Sequence, residues 1–425
     1  MVKNILIINQ YAGSPKHGMG FRSYYLAKEF LRYQYDLTII SSSYSHLFFK
    51  LPHVKKTYTK EQLEGINFWW VKTPRYNGSK SLGRIWNMFI FFIKLFFFPT
   101  SKISRPDFII ISSLSIFPII NAYLLSKRFN AKLIFEVRDL WPQTLIEFSE
   151  GKPNRLLIRF IASFERFAYK KSDYVVSLLP NSKSYMIGKG LFEKKFRYIP
   201  NGIKTVSKNQ VLDENIMKQL PKGKFIIGYT GTIGLANALD PLIESAIKVR
   251  EHKKIHFIFV GNGSNKVELE KKVYVNNLEN VTFINAIDKD QIYALIEYFD
   301  VCYLGWHNIL IYKFGISANK LFDYMYAGKP ILHAYSGTED IVKTANAGIN
   351  CKAYNVDEIV DTIYKFLKTS KNEMRKMGQN GKNYVLKYHT YEHLAKKYIK
   401  IFSDITDDMT IEGKGTNELV IKKKI

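Results

Sequence analysis

The chain has 425 residues, 46% hydrophobic and 24% charged, the composition of an ordinary globular protein with room for about two domains that each bury a core. Its two cysteines, Cys302 and Cys351, carry no partner motif, which sets aside a disulfide framework or a zinc site and suits a reducing cytoplasm. The formal charge of +26 favours an anionic partner surface; no helix-turn-helix, zinc-finger or RNA-binding aromatic motif accompanies it, so nucleic acid is not expected and the clustering of the cations turns the reading towards acidic lipid.

Met1-Val2-Lys3-Asn4 runs directly into Ile5-Leu6-Ile7-Ile8, too short for a signal core and read as a first buried strand. A helix over about 21–33 and a strand at 37–41 follow, a βαβ unit with Gly13, Gly18 and Gly20 in its first crossover. Those glycines lack dinucleotide-fingerprint spacing; they either only permit turns or bring the loop close to a ligand. From Lys50 to Arg105 the many cations face only Glu61 and Glu64. Inside lies Ile85 to Pro99, IWNMFIFFIKLFFFP, interrupted by Lys94 and shorter than the roughly 20 apolar residues that cross a bilayer. A helix apolar nearly all round is either core or dipped into a lipid interface, and both readings stand.

Strands at 108–113 and 132–137 flank a helix near 116–128, and the second delivers Arg138-Asp139-Leu140-Trp141-Pro142 at its carboxyl end, where open α/β sheets bind ligands. Arg138 offers a planar fork to phosphate, or it pairs with Glu136 or Asp139. A helix over 154–171 sets an apolar stripe against a cationic face, and strands at 174–179 and 196–199 end in Pro200-Asn201-Gly202-Ile203. A polar connection over 204–223 precedes a second alternation: strand 225–230 with Gly231-Thr232-Ile233-Gly234, strand 256–260 with Gly261-Asn262-Gly263, strand 281–284 with Asn285-Ala286, and strand 301–304. Asp288-Lys289-Asp290 mimics a metal-binding pair of carboxylates, but Gln291 three residues after Asp288 makes it a capping pattern, and no metal site is expected.

The stretch from Lys313 to Leu332 organises the rest. Phe314 to Ala318 is a small-residue turn, Asn319 opens a helix with Leu321, Phe322, Met325 and Tyr326 at helical spacing, and Gly328 with Pro330 closes it. Backbone N–H groups at Ser317, Ala318 and Asn319 can cradle a phosphate, Lys320 adds a charge, and Asp323 one turn on suits a ribose hydroxyl. From about 372 to 402 the chain reads as helix, and the tail from 406 is polar, ending in Lys422 to Lys424.

Asp323 followed by Tyr324-Met325-Tyr326-Ala327-Gly328-Lys329-Pro330 resembles the signature of retaining family 4 glycosyltransferases. Arg138 to Pro142 and Pro200 to Ile203 resemble that family's O-antigen and capsule branch. The resemblance implies an α/β protein of two Rossmann-like doubly wound domains facing across a cleft: an acceptor domain at 1–203 joined by a returning helix at 386–405, a nucleotide-sugar domain at 204–385, and a tail at 406–425. It implies sugar transfer from a UDP-sugar to a polyprenyl-diphosphate-linked saccharide at the inner face of the plasma membrane, without a metal or other cofactor. In that scheme Arg138, Lys320 and Asp323 carry the reaction. Gly231, Thr232, Gly261, Gly263, Asn285, Ser317, Ala318 and Asn319 join Lys320 and Asp323 around the donor, and Gly18, Gly20, Arg22 and Asp139 face the acceptor. Two departures stand out: Gly315 occupies the position of the family's first glutamate, and Thr232 and Asn237 that of its loop cations. WbuB-like N-acetyl-L-fucosamine transferases share the glycine, which implies an N-acetylated amino sugar as donor. An inactive partner subunit and a nucleotide-sugar epimerase of the same fold are the alternatives.

Overall fold

The computed structural model describes residues 2–405 apart from 19, 79–80, 114, 150, 152 and 206–210; the expected tail, with Lys422 to Lys424, lies outside them. The chain forms two compact units, one running to Pro200 and resuming at Tyr391, the other from Asn201 to Thr390.

The first unit contains β1 (Asn4–Ile8), β2 (Asp36–Ser42), β3 (Tyr58–Leu63), β4 (Ile66–Val71), β5 (Phe108–Ser112), β6 (Lys132–Val137), β7 (Tyr174–Ser177) and β8 (Phe196–Tyr198). They form one sheet in the order β3-β4-β2-β1-β5-β6-β7-β8. All neighbours run parallel except β3 with β4. That hairpin was not foreseen: β3 is a polar edge strand, and its turn rests on Glu64 and Gly65, both at positive φ. The central strands are apolar on both faces because helices cover both.

The second unit contains β9 (Phe225–Thr230), β10 (Ile255–Val260), β11 (Val281–Ile284), β12 (Val301–Gly305), β13 (Ile331–Ala334) and β14 (Gly348–Cys351). They are all parallel, in the order β11-β10-β9-β12-β13-β14. Numbered within the unit this is 3-2-1-4-5-6, the doubly wound order, whose direction reverses between β9 and β12. In the first unit it reverses between β1 and β5. Ligands of such sheets bind at the strands' carboxyl ends beside the reversal.

Both unit boundaries differ from expectation by a few residues, for a local reason. Asn201 already bonds to Ser317, and Ile203 donates its N–H to the His389 carbonyl, so the linker motif is part of the second unit. The long C-terminal helix is also two helices. The first, Lys371–Tyr388, packs so closely on the helix Asn319–Ala327 that a Cβ on Gly378 would lie 1.9 Å from the Gly328 carbonyl oxygen. After a break at His389-Thr390 a second helix over 391–405 buries Leu394, Tyr398, Ile401 and Phe402 in the first unit's core, with Phe402 stacked on Phe108 at 4.4 Å. Each such apolar side chain contributes roughly 1.5–3 kcal/mol when buried, enough to make the return segment integral to that unit.

Candidate active site

The helix Asn319–Ala327 starts without any side-chain cap and ends at Gly328, whose φ of 72° is the left-handed conformation its position needs. Before it, a short turn over Leu310–Phe314 stops at Gly315, with φ 94° and ψ 179°. That region of backbone space is essentially restricted to glycine, so this turn has no room for the family's first carboxylate in its present conformation. Ser317 is tied down: its hydroxyl accepts from the Asn201 N–H at 2.8 Å and its carbonyl from the Asn201 amide at 2.5 Å. Its side chain is therefore a strut for the turn, and only its backbone N–H is left in the expected role beside the helix start. Ala318 is the residue at the uncapped start, and Asn319 is exposed there.

Lys320 reaches from the first turn to the loop after β9. Its ammonium donates to the Tyr229 hydroxyl at 2.6 Å and to Asn237 Oδ1, and stands 4.5 Å from the centre of the Tyr229 ring. All these partners are neutral. Burial without a carboxylate pulls the ammonium down to about pH 7. Asn237 thus stands under Lys320 where the resemblance places a cation of its own. Asp323, one turn on, accepts from the Tyr293 hydroxyl at 2.7 Å, which fixes the carboxylate.

The glycine loops form a floor beneath Lys320. A Cβ on Gly261 would sit 1.9 Å from the Gly231 carbonyl oxygen, and one on Gly263 2.1 Å from that of Ile233. A Cβ on Gly231 would lie 3.5 Å from the Lys320 ammonium. Two backbone bonds, Gly231 N–H to Val260 O and Ile233 N–H to Asn262 O, both 2.9 Å, lock the loops together. Thr232 contributes only its carbonyl, which accepts from Tyr229 at 2.6 Å and from the Asn237 amide at 2.8 Å. At the end of β11, Asn285 Oδ1 accepts from Lys266 at 2.6 Å. Lys266 is a second cation that the sequence reading passed over; its signal was a lysine opening a helix immediately after Gly261 to Ser264. Asp288 caps the next helix by position alone: its side chain makes no cap bond, and Gln291 accepts from the Asp213 N–H.

In the first unit the acceptor residues divide. Arg22 is 3% exposed and fully engaged, with Nε on Glu136 at 2.8 Å and its other nitrogens on the Pro200 and Ile199 carbonyls. Tyr398 donates to the same carboxylate. Burial works to raise the Glu136 carboxyl, but Arg22, Arg138 and Tyr398 outweigh it and hold it below the ordinary range. Arg22 is therefore an internal strut, not an acceptor contact. Gly18 and Gly20 serve close backbone approach: a Cβ would meet Leu47 O at 2.5 Å and Tyr11 O at 2.1 Å respectively.

Arg138 and Asp139 are half-buried at the carboxyl end of β6. Arg138 holds the loop through its backbone N–H on Ser113 Oγ; among the described residues it makes no ion pair, and its Nη1 is buried without a hydrogen-bond partner. Burial raises the Asp139 carboxyl, and Arg138 and Arg84 offset only part of that. Arg84, another residue not foreseen, donates to the Tyr11 hydroxyl at 3.2 Å beyond β1.

Two family models match the chain: the glycosyl transferase 4-like domain over residues 17–202 and glycosyl transferases group 1 over residues 213–384. Among curated proteins it is 24% identical over 288 residues to an uncharacterized glycosyltransferase of Methanocaldococcus jannaschii, covering 66% of this chain and 70% of that one. It is 28% identical over 218 residues to WcaI of Escherichia coli, a putative colanic acid biosynthesis glycosyl transferase, covering 49% of this chain but only 53% of that relative. Among solved structures, sucrose-phosphate synthase from Thermosynechococcus elongatus shares the fold at TM-score 0.73 and 15% identity, covering 96% of this chain and all (100%) of that one. Anabaena HepE in complex with UDP-glucose shares it at TM-score 0.64 and 13% identity, covering 94% and 99%. With one model on each unit and both sheets in the doubly wound order, this chain belongs to the family 4 type of glycosyltransferases built from two Rossmann-like domains.

Proposed function

We propose that this protein moves an N-acetylated amino sugar, N-acetyl-L-fucosamine being the first candidate, from a UDP-sugar to a polyprenyl-diphosphate-linked saccharide during synthesis of a bacterial surface polysaccharide. The observation that carries the reading is Lys320: a cation at an uncapped helix start, above a side-chain-free glycine floor, with only neutral partners. A diphosphate supplies the charge that such an arrangement lacks. HepE with UDP-glucose and the colanic acid relative support the substrate class.

The reaction follows from that placement. The acceptor hydroxyl oxygen bonds to the anomeric carbon while the bond from that carbon to the diphosphate oxygen breaks. Negative charge builds on the leaving diphosphate, where Lys320 and the backbone N–H groups at Ala318 and Asn319 stabilise it; removing one such donor typically costs about 10²–10³ in rate. The leaving phosphate takes the acceptor proton, so no protein nucleophile is required. Asp323, fixed by Tyr293, binds a ribose hydroxyl, and Arg138 with Asp139 receives the acceptor in the first unit.

A membrane-borne acceptor is supported by the helix Leu82–Phe96, which is apolar on its outer face as well as at the buried Phe91 and Leu95. Leu82, Ile85, Trp86, Phe89 and Phe96 are exposed, and Phe97 beyond it is 74% exposed. The inner face buries Asn87, which accepts from the Gln10 amide at 2.7 Å and donates to Thr73 at 2.9 Å. Phe117 continues the apolar patch by touching Phe92 and Phe160, and Leu156 beside Arg155 and Arg159 extends it. An apolar outer face among cations fits the anionic inner face of a plasma membrane. Among the described residues no helix is long and apolar enough to cross a membrane.

The test is incubation of the purified protein in detergent and EDTA with separate UDP-sugars and a polyprenyl-diphosphate N-acetylhexosamine, followed by mass analysis of the lipid. A gain of one sugar supports the proposal. UDP binding without any gain across the panel of donors moves the assignment to a non-catalytic partner subunit.

A further inference from the structure

We infer that Trp306 is the surface on which the donor's sugar ring packs, and that His333 and Asp340 are positioning residues that hold it there; the inference rests on the nucleotide-sugar reading of the second unit. Trp306 directly follows β12. The carboxyl ends of β11, β10, β9 and β12 stand side by side in that order, spaced by about 4.8 Å per strand. A nucleotide with its base beyond β11 at Asn285 and its diphosphate beyond β9 over Gly231 and Lys320 therefore projects its sugar beyond β12. The neighbouring residue supports this path: His307 Nε2 contacts the Leu235 carbonyl at 2.5 Å, in the same loop as Asn237, the acceptor for Lys320.

The indole is held from several sides. Its Nε1–H donates to Nε2 of His333 at 3.0 Å, and His333 is fully buried within β13. An indole nitrogen only donates, so Nε2 of His333 is unprotonated and Nδ1 carries the proton, which it gives to Asp340 Oδ1 at 3.0 Å. Burial works to raise the Asp340 carboxyl, yet the bonds from His333, Val342 and Lys343 outweigh it and keep the group below its ordinary range. Tyr312 meets the indole at 5.0 Å in an edge contact, and Tyr335 stacks on His333 at 4.9 Å while donating to the Tyr312 carbonyl at 2.8 Å.

Trp306 itself remains partly exposed. Its N–H points inward to a fully buried histidine that is itself fixed by Asp340, so the pair sets the plane of the ring as well as satisfying its N–H. A fixed aromatic face beside a diphosphate cradle suits the C–H face of a pyranose, with the polar groups of the sugar read elsewhere.

Isothermal titration with UDP and with UDP-glucose, UDP-galactose, UDP-N-acetylglucosamine and UDP-N-acetylgalactosamine tests this. For the tightest UDP-sugar, Trp306→Ala is expected to raise its dissociation constant relative to that of UDP by about tenfold, with UDP itself changed less than about twofold. His333→Phe keeps a ring but leaves the indole N–H unpaired, and should raise the same ratio roughly threefold; Trp306→Phe should recover most of the Trp306→Ala loss. A purely structural role would weaken UDP and UDP-sugar together. That result, no change in the ratio, or no binding of any UDP-sugar by the wild type would overturn the inference. If His333→Phe fails to fold, the two Trp306 variants decide it. A protein that shows the ratio change but makes no lipid product loses the transferase reading and keeps this one.

Discussion

Each unit carries a cation near the carboxyl ends of its sheet, Arg22 buried and Lys320 half-buried, and their partners differ. Arg22 spends its whole guanidinium on Glu136 and two carbonyls, so its charge is answered within the fold. Lys320 has a phenol, an amide and an aromatic face, and nothing negative among the described residues. A buried charge with an internal counter-charge is a strut; one with only neutral partners is a candidate ligand contact. Sequence position alone ranks the two alike, since each is a basic residue in the first turn of a helix after a glycine-bearing loop.

The comparison is most easily broken at Glu136. Arg22→Met should lower stability by about 3–5 kcal/mol, read by chemical denaturation, because it leaves a buried carboxylate without its cation. Pairing it with Glu136→Met should restore much of the loss. If Arg22→Met folds normally and only weakens acceptor binding, Arg22 is a ligand contact after all.

Lys320→Met should do the reverse, reducing transfer by about 10²–10³ and UDP affinity with it, while stability changes little because the half-buried ammonium has no ionic partner to lose among the described residues. Loss of stability with unaltered UDP binding would make Lys320 a structural group.

Gly315→Glu sharpens the contrast from the other side. Restoring the family's carboxylate at a φ of 94° should destabilise by about 1–3 kcal/mol in thermal denaturation and give no gain in transfer. An increase in rate would show that the turn adapts to a side chain.

The smallest expected effect is on pH. The diphosphate prefers the ammonium form of Lys320, so binding raises its pKa from the free value of about 7. Affinity for UDP is then full below pH 7 and falls as pH rises past it, by up to about tenfold per unit until the bound-state pKa is reached. Calorimetry between pH 6 and 9 should show this slope in the wild type and a flat profile in Lys320→Arg, whose guanidinium stays charged.

The two βα series were legible because buried parallel strands are short apolar runs with glycine or polar residues at their carboxyl ends, as in FIIIS and IHFIFV. The edge hairpin β3–β4 was not, because YTKEQL is a solvated edge strand without an apolar run. The helix after Ala318 and its glycine stop were readable from local chemistry, and so was Lys320. Tyr229, Lys266 and Tyr293 were not, nor was the bond from Lys320 to Asn237: these residues lie far from that helix in sequence and come to the site only through strand pairing and loop packing.

The amino-acid order by itself determined which segments become strands and helices, where glycines must stand, and that a cation opens the helix at Asn319, because these depend on periodicity and backbone sterics over a few residues. Tertiary structure decided what each charge is for. Whether Arg22 meets Glu136 or a substrate, whether Lys320 finds a carboxylate or a phenol, and whether Trp306 is held by a histidine on the next strand are questions of distance between remote segments, and electrostatic worth depends on those distances and on burial.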